Sequence, residues 1–214
     1  MMKNYEVLYI DLDETIYPKT NGLWQFISDR INQFLVHHLQ ITIRDAQELR
    51  KQYLDTYGTT LNGLLNHHNI DPMEYLDYVH DIPIEMMILP EPELRSILKQ
   101  LSPKKYIFTN ASIQHANRVL RHLDILDLFD GVIDILALEF MNKPRKEAYE
   151  KALSLSGYPN PKKCMLIDDR VANLVPAKEM GIATVLVGGE DQDPAVDFVI
   201  GSFNEILQAV PGLK

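Results

Sequence analysis

Val7-Leu8-Tyr9-Ile10-Asp11-Leu12-Asp13-Glu14-Thr15 is an apolar run that ends in two carboxylates two residues apart. Bounded by polar residues, it reads as a buried strand of a parallel sheet. Side chains at i and i+2 of an extended segment point the same way, so Asp11 and Asp13 project together just past the strand end. Two ionised carboxylates share a small volume only if one pKa rises or a cation intervenes. A nucleophile beside a general acid meets that condition, and so does a divalent metal site. A strand with solvated acids at its end would look the same, so this segment alone leaves both readings open.

Three more apolar runs stop at groups suited to the same task. Tyr106-Ile107-Phe108 stops at Thr109-Asn110, which offers a hydroxyl, an amide and backbone N–H groups ahead of a helix. Cys164-Met165-Leu166-Ile167 stops at a second carboxylate pair, Asp168-Asp169. Between them lies Asn142-Lys143-Pro144, a cation whose following proline restricts it to extended geometry. In a doubly wound parallel sheet the C-terminal strand ends line one edge, where ligands bind. Carboxylates, hydroxyl and lysine would converge there. That inventory suits a phosphoryl group: an anionic nucleophile, magnesium ligands, neutral donors and a lysine to offset charge.

The four segments, in this order, resemble the haloacid dehalogenase superfamily of phosphotransferases, from Val7 to about Val199. Asp11-Leu12-Asp13-Glu14-Thr15 matches the first motif, Thr109-Asn110 the second, Lys143-Pro144 the third and Asp168-Asp169 the fourth. The resemblance implies that Asp11 is a nucleophile forming an aspartyl phosphate. Asp13 would be the acid that protonates the leaving oxygen and the base that then activates water. Mg²⁺ would be held by the Asp11 carboxylate, the Asp13 backbone carbonyl and Asp168. Asp169 would act one step removed, through water or by orienting Lys143. Thr109 and the Asn110 backbone would donate to phosphate oxygens, and Lys143 would tie Asp11 to the phosphate. An acid at position 13 argues for phosphatase or phosphomutase chemistry, since a departing halide needs no proton.

A narrower resemblance lies in Asp11-Leu12-Asp13-Glu14-Thr15-Ile16-Tyr17-Pro18, which is similar to the start of the pyrimidine 5′-nucleotidase-like branch. Tyr57–Leu64, Phe108–Ala111 and Leu126–Gly131 resemble that branch as well. Glu14 departs from the Gly or Asn common at its position. The branch implies a nucleoside monophosphate as substrate. Alternatives are a phosphatase or mutase of sugar phosphates or other small metabolites, and a non-enzymatic phosphate-binding module. Loss of Asp11, Asp13, Lys143 or Asp168 would mark the last, and all four are present.

The chain has 214 residues, 46% of them hydrophobic, enough for one α/β domain with an insertion. The expected fold is α/β, a doubly wound Rossmann-like parallel sheet over 1–16 and 90–214. An inserted α-helical cap domain over 17–89 resembles the C1 cap of the superfamily. Within the insertion, Trp24, Ile27, Ile31, Phe34, Leu35 and Leu39 recur at helical spacing. Thr42 reads as the cap of a second helix ended by Gly58, and Asp71-Pro72 as cap and first residue of another. Tyr17, Trp24, Tyr53, Tyr57, Asn62, His67 and His68 could contact a substrate, but Trp24, Tyr53 and Tyr57 sit where packing is the ordinary role. Adjacent histidines (His37-His38, His67-His68) point ~100° apart on a helix and chelate poorly.

Beyond the insertion, helices are expected to about 101, then near 112–123, 145–156 and 171–180. Strands are expected before Thr109, near 131–136, before Asp168, at Ala183–Val187 and near Phe198–Ile200. A net charge of −9 argues against a nucleic-acid surface. No apolar run approaches the ~20 residues of a membrane span. The lone cysteine, Cys164, falls in a buried strand and reads as a small hydrophobe. A cytoplasmic protein acting on a small phosphorylated metabolite is the expectation.

Overall fold

The computed structural model describes residues 4–157, 159–189 and 193–214. In chain order the elements are β1 (Val7–Ile10), α1 (Leu23–Leu39), α2 (Ile43–Tyr57), α3 (Thr60–His67), α4 (Pro72–His80), α5 (Ile84–Met87) and α6 (Pro92–Gln100). There follow β2 (Lys104–Phe108), α7 (Ile113–His122), β3 (Gly131–Ile133), α8 (Lys146–Leu155), β4 (Cys164–Asp168), α9 (Val171–Glu179), β5 (Ala183–Val187), β6 (Phe198–Ile200) and α10 (Ile206–Ala209). Among these residues no helix is long and apolar enough to cross a membrane.

Six strands form one parallel sheet in the order β3-β2-β1-β4-β5-β6. The fold is the expected doubly wound α/β arrangement. β1, β4 and β5 are buried at every position, which is why they read as continuous apolar runs. The chain runs outward from β1 through β2 to β3, then returns to β4 on the other side of β1. That reversal puts the switch point at the C-terminal ends of β1 and β4. Ile10 is in register with both Ile107 and Ile167, and the Asp11 N–H continues the ladder to the Ile167 carbonyl (2.9 Å). Asp11 and Asp168 therefore lie level on neighbouring strands. Cys164 is fully buried and its thiol pKa is pushed up by burial, as a packing residue requires.

The chain divides into two compact units, 1–21 with 88–214, and 22–87. These limits lie a few residues inside the expected 17–89. The second unit is helical. Thr42 accepts from the Asp45 N–H, Asp71 from the Met73 N–H, and Gly58 ends α2 with a left-handed φ of 79°. Thr59 caps a separate helix, α3, that the apolar spacing had not distinguished. A Cβ on Gly63 would lie 2.1 Å from a Tyr53 ring carbon, so the glycine admits the tyrosine against α3. Trp24 departs from expectation: it is 40% exposed, while Leu23 is buried. The buried stripe is Leu23, Ile27, Ile31, Phe34 and Leu35; Trp24 lies one residue, ~100°, off it. His68 Nε2 lies 2.9 Å from the Tyr53 hydroxyl and His67 Nε2 2.6 Å from that of Tyr57, while His38 stacks on Phe34.

In the sheet unit, β3 stops at Ile133, short of the expected 136. Asp134 turns the chain instead, its carboxylate accepting from the N–H groups of Ile113 and Ala137 (both 2.9 Å). Asp197 anchors the approach to β6 by accepting from the Thr184 N–H (3.0 Å) and pairing with Lys178. Burial acts to raise its pKa, but Lys178 and Thr184 outweigh it and the net shift is downward. A carboxyl depressed in the folded state adds stability above its unfolded pKa and loses it as pH falls through the folded value. Asp197→Ala is therefore expected to cost about 1 kcal/mol at pH 7, since solvent screens the Lys178 pair. The difference from the parent should narrow below about pH 4. Urea unfolding at pH 7 and pH 3 measures both; equal midpoints at pH 7 would refute the anchor.

Candidate active site

Asp11 follows β1, Thr109 follows β2, and Asp168 closes β4, so three strand ends deliver polar groups to one edge. Lys143 arrives from the loop before α8 and is 1% exposed. Its ammonium donates to Asp11 Oδ1 (2.8 Å) and Asp168 Oδ2 (2.7 Å). Asn110 braces that loop in both directions: its amide donates to the Lys143 carbonyl (3.0 Å) and accepts from the Lys143 N–H (2.9 Å). Asn142 adds a second donor to the same carbonyl (2.7 Å). The Asn110 side chain is thus committed to holding Lys143, leaving its backbone as the candidate phosphate donor. Thr109 Oγ1 accepts from the Ala111 N–H (3.0 Å), and Thr15 Oγ1 donates to Asp11 Oδ2 (3.2 Å).

Burial is the main cause that pushes the Asp11 carboxyl up to about 8, and Asp168 and Asp169 add to it against the opposing pull of Lys143. Burial also works against the Lys143 ammonium, but its two carboxylate partners outweigh it and the pKa is raised. Asp169 is raised by burial and by Asp168. Ligand atoms of Asp11, Asp168 and Asp169 lie within 4.8 Å of one another. This all-oxygen set with an excess of negative charge fits a hard divalent cation such as Mg²⁺.

Asp169 is placed with the carboxylate group and pairs with Lys19 (2.9 Å); it is Asp168 that holds Lys143. Glu14 occupies the left-handed region at φ 62°, a conformation that explains why Gly or Asn suits this position. Its carboxylate lies 4.0 Å from Lys19.

The Asp13 side chain takes a different direction from Asp11. Its Oδ1 accepts from the Tyr17 hydroxyl and lies 2.8 Å from His115 Nε2. Tyr17, grouped by sequence with the substrate-contacting aromatics, is spent on this carboxylate. Burial and the Asp13 charge hold the Tyr17 hydroxyl well above the ordinary tyrosine range, so it keeps its proton. His115 was not singled out by motif. It sits in the first turn of α7, capped by Ser112, and a helix start after a strand faces the ligand edge of the sheet. Asn173 also escaped notice; its amide donates to Asp168 Oδ1 (2.9 Å), and the Arg170 N–H reaches the same oxygen (2.9 Å).

The haloacid dehalogenase-like hydrolase family matches residues 5–181. Phosphate metabolism protein 8 of Saccharomyces cerevisiae is 29% identical over 195 residues, covering 85% of this chain and 61% of that protein, so the chain spans about three-fifths of this relative. Glyceraldehyde 3-phosphate phosphatase of Methanocaldococcus jannaschii is 27% identical over 97% of both chains. Among solved structures, a HAD phosphatase from Thermococcus onnurineus superposes with a TM-score of 0.64 at 19% identity, covering 95% of this chain and 96% of that one. β-Phosphoglucomutase of Clostridium difficile gives 0.62 at 21%, covering 96% and 93%. With its sheet order, its motifs at three strand ends and in the Lys143 loop, and this match over most of its length, the chain belongs to the haloacid dehalogenase-like hydrolases.

Proposed function

We propose that the protein is a Mg²⁺-dependent phosphomonoesterase that works through an aspartyl phosphate. The observation that carries this reading is the buried Asp11–Lys143–Asp168 cluster, with a second carboxylate, Asp13, two residues from Asp11. Lys143 aligns Asp11 and offsets the repulsion between its carboxylate and an incoming phosphate. A carboxylate oxygen of Asp11 bonds to phosphorus while the ester oxygen departs with a proton from Asp13. Asp13 then takes a proton from water, whose oxygen bonds to phosphorus and releases Asp11 and inorganic phosphate. Thr109 and the Asn110 backbone N–H donate to the phosphate oxygens. Asp11, Asp168 and Asp169, with the Asp13 backbone carbonyl, would hold Mg²⁺, which supplies charge neutralisation when bound.

The substrate we favour is a nucleoside 5′-monophosphate, pyrimidine ones first, on the strength of the Asp11–Pro18 string. The helical unit over 22–87 would act as the substrate-selecting cap. A sugar or triose phosphate is the second reading, and the Methanocaldococcus relative favours it. Phosphate release from UMP, CMP and glyceraldehyde 3-phosphate, with Mg²⁺ or EDTA, tests the whole proposal. We expect metal-dependent release, fastest from the two nucleotides. Release chiefly from the triose phosphate would keep the chemistry and change the substrate. No release from any ester by folded protein with Mg²⁺ would refute the phosphatase reading.

A further inference from the structure

Two lysines serve the carboxylates of this sheet edge, and they are held in different ways. Lys143 is buried between Asp11 and Asp168, at 2.8 and 2.7 Å. Lys19 opens a three-residue 3₁₀ turn, Lys19–Asn21, beyond the β1 motif. Its ammonium lies 2.9 Å from Asp169 Oδ2 and 4.0 Å from Glu14 Oε2. The Asp169 side chain is 6% exposed, whereas that of Lys19 is 47% exposed and that of Glu14 20%. Lys19 therefore reaches in from solvent to a carboxylate that belongs to the three-acid cluster of Asp11, Asp168 and Asp169. An ammonium and a divalent cation drawn to the same carboxylate oppose each other, because each reduces the negative potential that attracts the other. Lys143 alone leaves the three acids with a surplus of negative charge suited to a doubly charged ion, and Lys19 offsets part of that surplus.

We propose that Lys19 is a tethered counter-charge that competes with the divalent cation for Asp169 and so sets the affinity of the site for metal. Glu14 is the second carboxylate that receives the lysine when a metal takes Asp169. The inference rests on the reading of Asp11, Asp168 and Asp169 as the Mg²⁺ ligands. Lys19 touches no reacting atom and acts through Asp169, so it is a positioning residue. Its four-carbon stem is flexible, and Glu14 lies close enough to take the ammonium without any rebuilding of the turn. Lys143 has no such freedom, since its ammonium is enclosed and shared by two buried carboxylates. The consequence is that Asp169 keeps a cation beside it with or without metal. The fold is spared an unpaired carboxylate, and the metal is held less tightly than the three acids alone would hold it.

Calorimetric titration of the EDTA-treated, dialysed protein with MgCl₂ tests this without reference to turnover, and melting temperatures in EDTA and in Mg²⁺ accompany it. Lys19→Met is expected to bind Mg²⁺ about tenfold more tightly than the parent, since one opposing charge is gone. The same variant should melt below the parent in EDTA, because Asp169 has lost its cation, and should gain more from a given Mg²⁺ concentration. A purely structural role would lower both melting temperatures and leave the affinity alone. Lys19→Arg, which keeps the charge, should stay near the parent affinity. Glu14→Gln should weaken Mg²⁺ binding more in the parent than in the Lys19→Met background, because its effect through the lysine is then absent. Equal effects in the two backgrounds would remove Glu14 from the proposal. A Lys19→Met protein with unchanged or weaker Mg²⁺ affinity would overturn the counter-charge while leaving the phosphatase reading intact. A parent that takes up no Mg²⁺ would overturn the inference together with the metal assignment on which it rests.

Discussion

Asp11→Asn is expected to lower phosphate release by on the order of 10⁴-fold or more, because an amide offers no anionic oxygen to phosphorus. The same substitution carries a stability prediction of the opposite sign. Asp11 is 8% exposed, and burial with the neighbouring Asp168 and Asp169 pushes its pKa to about 8 despite Lys143. A carboxyl raised in the folded state binds its proton more tightly there than in the unfolded chain. Its contribution to stability is complete below the unfolded value, near 4, and is lost as pH rises through about 8. In EDTA, the parent should therefore lose stability between about pH 4 and pH 8, and Asp11→Asn should flatten that decline. At pH 7 the metal-free variant should melt no lower than the parent, since Lys143 keeps Asp168 as a partner at 2.7 Å. Two measurements decide the matter: phosphate release with Mg²⁺, and melting temperature in EDTA across pH. Appreciable turnover by the variant would remove Asp11 as nucleophile. A steep loss of stability at pH 7 would show that the Lys143 pair outweighs the carboxylate repulsion.

Lys143→Met is expected to do the reverse, damaging the fold as well as the reaction. The ammonium is 1% exposed and serves two buried carboxylates, at 2.8 and 2.7 Å. Methionine fills a similar volume but leaves Asp11 and Asp168 facing each other without a cation. Removing one partner of a buried ion pair typically costs about 3–5 kcal/mol, because the remaining charge stays desolvated. Urea unfolding in EDTA should show that loss. Mg²⁺ should recover part of it by binding the folded form alone, and the recovery should grow with its concentration. Activity at saturating Mg²⁺ should remain lower by about 10²-fold, the usual effect of losing one preorganised electrostatic contact. A variant with the parent's midpoint in EDTA would mean that Asp11 and Asp168 do not depend on this lysine.

Much of the fold was legible because its signals are local. Runs such as Val7–Ile10 and Cys164–Ile167 are buried on both faces of the sheet, so every position is apolar and the strand announces itself. Thr42, Asp71 and Ser112 satisfy N–H groups two or three residues away, so helix starts can be read from short strings. Where a local signal was shared between outcomes, reading by spacing went astray. Trp24 fits a helical repeat as well as Leu23 does, and which of them is buried depends on what α1 packs against. The β3 strand looked longer because Asp134 gives no sign in sequence of capping the start of α7, 21 residues earlier.

The composition of the site was legible for the same reason, and its wiring was not. Sequence by itself determined which residues reach the sheet edge, because each polar group directly follows an apolar strand: Asp11, Asp13, Thr109, Asp168 and Asp169. It also placed Lys143 among them by motif. Only the tertiary structure decided that Lys143 bridges Asp11 and Asp168, partners 132 and 25 residues away. It likewise decided that Asp169 pairs with Lys19, and that Asp13 turns to Tyr17 and His115. Burial and strand propensity are properties of a short segment, whereas charge pairing and proton affinity depend on distances in space between segments that the chain order leaves far apart.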